Sequence, residues 1–171
     1  MALGYPLGKA QHLQLLLADV EPAYVHQGIM PYSEAYALSG LDVPRRMSYG
    51  EAKGAGALEK RPWILYAPAQ SGRSLFLQYL KRRFGAVLMI FSGWAVEDGY
   101  RYAMAVDEAY PLSDHSDFQG LLSLVERVQP ERVYTAHGFA EQFAHSLRAR
   151  GFEAQPLTRP RATMAKYLRY D

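Results

Sequence analysis

Two apolar runs on either side of a predicted helix constrain the fold of this chain more than any other feature. Residues 63–67 (Trp-Ile-Leu-Tyr-Ala) and 86–91 (Ala-Val-Leu-Met-Ile-Phe) contain almost no polar side chain, which is typical of strands covered on both faces of a sheet. Residues 74–83 between them predict a helix. Two buried strands joined by a helix indicate parallel pairing. The sequence therefore predicts an α/β fold with a mainly parallel sheet in the first half and a smaller sheet in the second.

The remaining elements are predicted from apolar spacing and from turn-forming residues. Further helices are predicted over residues 9–19, 33–38, 117–128 and 139–150, and short strands over 22–25, 100–106, 109–112, 132–135 and 152–157. Ala10, Leu13, Leu16 and Leu17 line one face of the first helix. Ser33 and Asp117 are expected to cap the helices that they begin. Glycines and prolines predict a mobile surface loop over residues 40–60.

The absence of cysteine excludes several kinds of chemistry. None of the 171 residues is cysteine, so disulfides, thiolate zinc sites and a cysteine nucleophile are excluded. Metal ligands would have to be histidines and carboxylates. The sequence has no apolar stretch of membrane-spanning length and no signal-peptide pattern at its start. We therefore expect a soluble, cytoplasmic protein with no membrane partner.

The charge balance limits how the chain could bind nucleic acid. A formal net charge of +2 gives no global positive field of the kind that coats nucleic acid, so any such contact must be local. Candidate clusters are Arg45 with Arg46, residues 81–83, Arg148 with Arg150, and Arg159 with Arg161. Solvated helix ends and loop charges are the alternative interpretation of each cluster.

Two histidines follow predicted strands. His115 comes after the strand over 109–112, and His137 after the strand over 132–135. The carboxyl ends of strands in an α/β layer border the crevice where ligands bind, and an imidazole there can hold a metal ion or contact a phosphate oxygen. We expect both histidines on the smaller sheet, facing a common cleft. Alternatively, His137 is a hydrogen-bonded histidine at a strand end, and His115 lies in a turn that caps the next helix.

The two histidine segments resemble the last two signature motifs of the metallo-β-lactamase/β-CASP nucleases. In that family a Ser-x-His-x-Asp-[Phe/Tyr] element precedes a strand that ends in His-Gly. The wider match resembles the bacterial branch described as ligase-associated DNA exonucleases, also known as mRNA 3′-end processing factors. It rests on Leu7-Gly-Lys-Ala-Gln11, Phe91-Ser-Gly-Trp94, Leu112-Ser-Asp-His-Ser-Asp117 and Tyr134-Thr-Ala-His-Gly138. The resemblance covers nearly the whole chain, but only the carboxy-terminal half of a family member.

The resemblance implies a fold, an activity and partners. It implies a β-CASP-type parallel α/β lobe over residues 1–95 and the carboxy-terminal part of a metallo-β-lactamase αββα lobe over residues 96–171. Family members are metal-dependent exonucleases with two zinc ions, or manganese, that hydrolyse phosphodiester bonds of nucleic acid, here DNA rather than RNA. Association with a DNA ligase and a helicase in DNA repair is implied too. By this resemblance His137 is a zinc ligand, and His115 assists departure of the leaving group beside the scissile phosphate.

Four further side chains are candidate phosphate contacts. Ser113 neighbours His115, and Ser92 lies in the turn after the second apolar run. Ser71 lies in a strand-to-helix turn whose backbone amides could hold a phosphate. Lys9 begins the first helix and could neutralise a phosphate there. Ordinary turns and an ordinary amphipathic helix start are the alternatives.

The chain lacks the ligand cluster of the family. No two of its histidines are separated by one residue, so a His-x-His-x-Asp-His motif is absent. Two-metal hydrolysis needs several ligands around the ions, and the resemblance supplies about one of the three or four that a zinc site requires. The prediction is half of a nuclease, incomplete without an amino-terminal metallo-β-lactamase half. The alternative is a non-catalytic nucleic-acid-binding or regulatory module; an unrelated α/β hydrolase is disfavoured because a Gly-x-Ser-x-Gly elbow is absent.

Overall fold

The structure is a computed structural model that describes residues 1–60 and 62–157. These residues form two compact units, which are divided between His115 and Ser116. Each unit has its own core. No helix in the described ranges is both long and apolar enough to cross a membrane. The arginine cluster predicted at Arg159 and Arg161 lies outside the described residues.

The first unit is built on a five-stranded parallel sheet. Its elements are β1 (Ala2–Gly4), α1 (Lys9–Leu16), β2 (Ala23–Val25), α2 (Met30–Leu38), α3 (Tyr49–Gly54), β3 (Ile64–Pro68), α4 (Leu75–Phe84), β4 (Met89–Ser92), α5 (Tyr100–Met104) and β5 (Glu108–Pro111). The strand order is β2-β3-β1-β4-β5, and every neighbouring pair is parallel. The predicted α/β class and its two buried strands are confirmed.

Both faces of this sheet are covered by helices. On one face Leu3 and Leu65 pack with Leu77 and Leu80 of α4. On the other face Tyr66 packs with α1 and the start of α2. Because successive side chains of a strand point to opposite faces, neighbouring residues such as Leu65 and Tyr66 supply the two cores in turn. The near-continuous apolar pattern of the central strands follows from this double burial.

The second unit contains two helices and a two-stranded sheet. The elements are α6 (Phe118–Val128), β6 (Val133–Thr135), α7 (Ala140–Arg148) and β7 (Ala154–Pro156), with β6 and β7 parallel. Asp117 accepts a hydrogen bond from the backbone N–H of Gly120 at 2.7 Å, so its predicted role as a helix cap is confirmed. The core consists of Leu122, Ala144, Leu147 and Ala154. The helices and strands of this unit thus share one small core.

Two predicted elements are wrong. Residues 100–104 form helix α5 and not a strand, since Tyr100 and Met104, four residues apart, pack on the same core. Residues 40–60 are not a continuous surface loop, because α3 lies among them with Tyr49 and Ala52 buried. Its start is a capping box, in which the Ser48 side chain accepts from the Glu51 N–H and the Glu51 carboxylate accepts from the Ser48 N–H.

Helices α1 and α2 also differ from the prediction. Helix α2 begins at Met30 and not at Ser33, whose hydroxyl accepts hydrogen bonds from the side chains of Gln11 and Gln14. Leu16 is 60% exposed, whereas Gln14 is fully buried. Buried amides that hydrogen-bond to α2 therefore replace part of the predicted apolar face.

The first sheet extends past residue 95, where the boundary between the two lobes was expected. Strand β5 lies beyond that residue and belongs to the first sheet. The assignment of residues 1–95 and 96–171 to the two lobes of the family stays a prediction.

Candidate functional site

A cleft of about 780 Å³ opens at the carboxyl ends of three neighbouring strands, β1, β4 and β5. Each strand contributes the segment that follows it. The lining residues are Tyr5, Pro6, Leu7, Lys9, Ser92, Gly93, Trp94, Val96, Glu97, Ser113, Asp114 and His115. Four of the predicted site residues, Lys9, Ser92, Ser113 and His115, therefore meet in one place.

The strand connections explain why a cleft forms here. Strand β1 continues into α1, which packs on the face that carries Tyr66. Strand β4 continues into α5, which packs on the face that carries Leu3. The two connections thus leave a pair of adjacent strands toward opposite faces, and ligands of open α/β sheets bind in the crevice at such a point.

His115 lies at the exposed end of this cleft. Its loop leaves the sheet after β5, where the Leu112 N–H donates to the Ser92 carbonyl at 3.3 Å. The backbone N–H of His115 donates to the Ser113 hydroxyl at 3.2 Å, which closes a local turn. The imidazole makes no hydrogen bond to the described part of the chain and is free to meet a ligand. His115 follows a strand of the larger sheet, so the expectation that the smaller sheet carries it is wrong.

Lys9 lies at the base of the cleft and is only 2% exposed. Its ammonium donates to the Asp114 carboxylate at 2.8 Å and to the Leu112 carbonyl at 2.9 Å. The hydrogen bond from Lys9 lowers the pKa of Asp114 from its ordinary value, against an opposing effect of burial. The Lys9 ammonium, which the sequence suggested as a phosphate contact, is thus already paired with Asp114.

The two cleft serines occupy adjacent turns. Ser92 is 2% exposed, and its hydroxyl accepts from the Trp94 N–H at 3.2 Å. A side chain at Gly93 would meet Ser113 at 3.6 Å, which places the two turns side by side. Ser113 is exposed and keeps a hydroxyl proton for a ligand oxygen, whereas buried Ser92 supports its own turn.

The cleft carries a net negative charge of its own. Among the described residues that line it, the charged side chains are Lys9, Glu97 and Asp114, so one cation stands against two carboxylates. A phosphodiester brought to this surface alone would meet a carboxylate excess, and binding of a polyanion therefore requires cations from elsewhere.

Ser71 does not line the cleft. Its hydroxyl donates to the Met104 carbonyl at 3.4 Å, and the Gly72 N–H donates to the same carbonyl at 2.7 Å. The Arg73 guanidinium donates to the Ala103 carbonyl at 3.2 Å. These donors satisfy the last carbonyls of α5, which have no partner within the helix. The turn after β3 therefore anchors α5.

His137 lies in the second unit, and Ala136 separates it from the end of β6. It is exposed and has a backbone φ of 64°, followed by Gly138 at 45°. A histidine in the left-handed backbone region is uncommon and costs about 1 kcal/mol or more in conformational free energy. Such residues cluster at functional sites. Helix α7 begins at Ala140, after a short turn and not immediately at Gly138. Within residues 1–60 and 62–157, no group of three or more histidines and carboxylates is placed to hold a metal ion.

Several residues of the site were not foreseen from the sequence. Asp114 pairs with a lysine 105 positions away, and no local pattern signals such a contact. Tyr5 and Trp94 line the cleft while remaining 56% and 66% exposed. Trp94 lies in one of the motif segments, but nothing in the sequence indicated that its ring would be exposed at a cleft.

Most of the described arginine and lysine clusters are engaged in internal pairs. Arg46 has a side chain only 2% exposed, pairs with Glu21 and lies over the Tyr66 ring at 5.5 Å. Arg46 is therefore not a surface contact for nucleic acid, whereas Arg45 of the same cluster is exposed and stays a prediction. The other ion pairs formed by these clusters are Lys81 with Asp107, Arg83 with Glu59, Arg148 with Glu141 and Arg150 with Glu126.

Comparison with known proteins identifies the segment that carries both histidines. Residues 103–155 match the model of the Zn-dependent metallo-hydrolase RNA specificity domain. This segment belongs to that metallo-hydrolase family. The predicted family resemblance is confirmed, and the metallo-hydrolase segment extends from α5 of the first unit to β7 of the second.

A curated relative shares most of the chain. Over 152 residues, 88% of this chain, the sequence is 37% identical to a probable DNA ligase of Opitutus terrae. The chain spans 14% of that protein's length. No solved structure is significantly similar to the chain. The comparisons therefore match residues 103–155 to a metallo-hydrolase domain family and most of the chain to a small part of a longer protein.

Proposed function

We propose that this chain is the carboxy-terminal half of a metal-dependent exonuclease that hydrolyses phosphodiester bonds of nucleic acid, and that it is incomplete for catalysis alone. One observation carries the proposal: a cleft at the carboxyl ends of three strands holds His115 beside Ser92 and Ser113. The segment that contains His115 belongs to a Zn-dependent metallo-hydrolase family. A cleft with these groups fits phosphoryl chemistry, in which an imidazole gives a proton to the departing oxygen.

The residues of this chain do not complete a zinc site. His137 is the one residue that matches a family ligand, and the described residues bring no group of three ligands together. A catalytic zinc uses three protein ligands and a water. When bound, such ions would supply the positive charge that the cleft lacks and activate the attacking water. This chain's own contribution is a proton donor, His115, and the exposed hydroxyl of Ser113, which can orient a phosphate oxygen.

The second unit supports the need for another polypeptide. In the part of this unit that the structure describes, the parallel sheet has two strands, and the paired residues Tyr134 and Gln155 are exposed on the face that does not carry the unit's core. Parallel sheets are normally covered on both faces, and two strands alone are marginal. Helix α6 also exposes Leu121, Leu124 and Val128, which are spaced along one side of the helix. An amino-terminal metallo-β-lactamase half is the partner that we propose for these surfaces.

The substrate that we propose is DNA. The curated relative is named a probable DNA ligase, which favours DNA as the nucleic acid. The family name refers instead to RNA specificity, so RNA is the competing substrate. A cytoplasmic location and a functional association with DNA ligase and a helicase are parts of the same proposal.

The test compares the chain alone with the chain completed by an amino-terminal half that bears a His-x-His-x-Asp-His cluster. Each is incubated with single-stranded DNA, double-stranded DNA and RNA, with added zinc or manganese. We expect no turnover and weak zinc binding from the chain alone, and metal-dependent cleavage of DNA from the completed protein. Robust, chelator-sensitive cleavage by the chain alone would contradict the proposal.

A second candidate function is a non-catalytic nucleic-acid-binding or regulatory module. The observation that favours it is that the described residues bring no group of three or more histidines and carboxylates together to hold a metal ion. Binding of nucleic acid by the chain alone, unchanged when the other half is added and without any cleavage, would support the module.

A further inference from the structure

The loop that carries His115 is tied to the start of α1 by a buried lysine. The Leu112 N–H bonds to β4, while the Leu112 carbonyl and the Asp114 carboxylate both accept from the Lys9 ammonium. Beyond Leu112 the chain has left the sheet, so the strand ladder no longer fixes it. The geometry points to Lys9 as a positioning residue that holds the 112–115 loop, and with it His115, at the cleft.

The burial of Lys9 indicates that its ammonium serves the loop and not a substrate. Lysine is rarely buried without a partner, because removing an ammonium from water is costly unless hydrogen bonds and an opposite charge compensate. Lys9 has both, in Asp114 and in the carbonyl of Leu112. To reach a phosphate in solvent, the ammonium would have to leave Asp114 unpaired. A lysine that is 2% exposed is therefore suited to fixing the loop and not to contacting substrate.

The first turn of α1 is shaped to accept the loop. Gly8 has a φ of 84°, and a side chain there would place its Cβ 3.0 Å from the second oxygen of Asp114. The backbone angle favours glycine, and any larger residue would also crowd the Asp114 carboxylate. The turn is itself held by buried Gln11, which accepts from the Gly8 N–H at 2.8 Å and donates to the Pro6 carbonyl at 3.0 Å. The support is thus pre-formed before any ligand binds.

The consequence for chemistry rests on the proposed function. A catalytic group works only when it is held near the productive geometry, and displacement by about 1 Å can cost roughly 10²-fold in rate. Release of the Lys9 tie should displace His115 and slow the chemical step. A lysine that contacts phosphate would act differently, because its loss weakens binding and lowers the salt dependence of binding by about one ion.

The first experiment needs no enzyme activity. We would record the His115 ring signals by NMR in the 171-residue chain, assigned through His115→Ala, and compare Lys9→Met and Lys9→Arg. Asp114→Asn and the double variant Lys9→Met with Asp114→Leu keep the test valid if Lys9→Met unfolds, because the double variant leaves no unpaired charge. Lys53→Met, at an exposed position of α3, is the control. We expect the His115 signals to shift in every variant that breaks the Lys9–Asp114 pair. The shift should be smaller in Lys9→Arg, and the control should show no shift.

The second experiment uses the completed enzyme. Lys9→Met should lower kcat by up to about 10²-fold with KM and the salt slope unchanged. His115 signals that do not move in the Lys9 variants would overturn the positioning role. A raised KM, together with a slope of log affinity against log salt concentration reduced by about one, would identify a phosphate contact instead. If the completed enzyme is inactive, the proposed function fails while the NMR comparison still decides the role of Lys9.

Discussion

Gly72 lies against the carbonyl of Ala105, so closely that a Cβ at residue 72 would lie 1.9 Å from that oxygen. The Gly72 N–H also donates to the neighbouring Met104 carbonyl at 2.7 Å. This approach joins the turn after β3 to the end of α5, on the same side of the sheet as α4. The turn therefore has a structural role that a glycine alone can fill.

Gly72→Ala should destabilise the protein because the added methyl group must displace backbone and not a flexible side chain. We expect a loss of more than about 2 kcal/mol in the free energy of unfolding, measured by urea denaturation. Gly54→Ala is the matched control, since nothing lies within 4 Å of its Cβ position. Its helical position should make that change neutral or stabilising by up to about 1 kcal/mol. Equal effects of the two changes would show that the packing at Gly72 is wrong.

The core on the α4 face can be tested with two leucines of one helix. Leu77 is fully buried and Leu75 is 86% exposed. Leu77→Ala should cost roughly 2–5 kcal/mol through lost burial and the cavity left behind, whereas Leu75→Ala should change stability by less than about 0.5 kcal/mol. Urea denaturation measures both. If the two leucines exchanged these effects, the orientation of α4 would be reversed.

The Lys9–Asp114 pair should make stability depend on pH in one direction. Because the pKa of Asp114 is lowered in the folded protein, its contribution to stability is fully present above the ordinary pKa of aspartate, about 3.9. It is lost as pH falls through the folded value. We expect Asp114→Asn to destabilise the protein at neutral pH, and the difference from the parent chain to shrink below about pH 4.

Denaturant unfolding across that pH range measures the effect, with exposed Asp42→Asn as the control. The titrating and charged groups that act on Asp114 are Lys9 and His115, and both are unchanged in these variants. A difference that grows as pH falls would contradict the assigned direction.

Much of the fold could be predicted because burial leaves a mark on local sequence. The runs that became β3 and β4 are apolar on both faces, and Asp117 sits where a cap is expected. Strand β1 was missed although it is central in the sheet, because Ala2-Leu3-Gly4 contains none of the β-branched or aromatic residues that favour strands. The α3 capping box was present in the sequence as Ser48 and Glu51, but nearby glycines and prolines outweighed it.

The site was predictable in part, for a physical reason. Ser92, Ser113 and His115 were candidates because each follows a predicted strand, and the structure places all three at one cleft. Their meeting at the larger sheet was not predicted, since the sequence analysis assigned His115 to the smaller sheet. The partner of Lys9 could not be predicted, since an ion pair across 105 residues depends on the assembled structure. Ser71 was misleading because a turn that satisfies helix carbonyls has the same composition as one that binds phosphate.

The central claim is that this chain gives a proton donor and a metal ligand to a nuclease site completed by another polypeptide. The most direct measurement is single-turnover DNA cleavage together with metal content, in the completed protein carrying His115→Ala, His137→Ala or the exposed α7 control His145→Ala. We predict that His115→Ala keeps its metal and slows cleavage by roughly 10²- to 10⁴-fold, that His137→Ala loses metal and activity together, and that His145→Ala loses neither. Full metal content in His137→Ala, or a full cleavage rate in His115→Ala, would contradict the account.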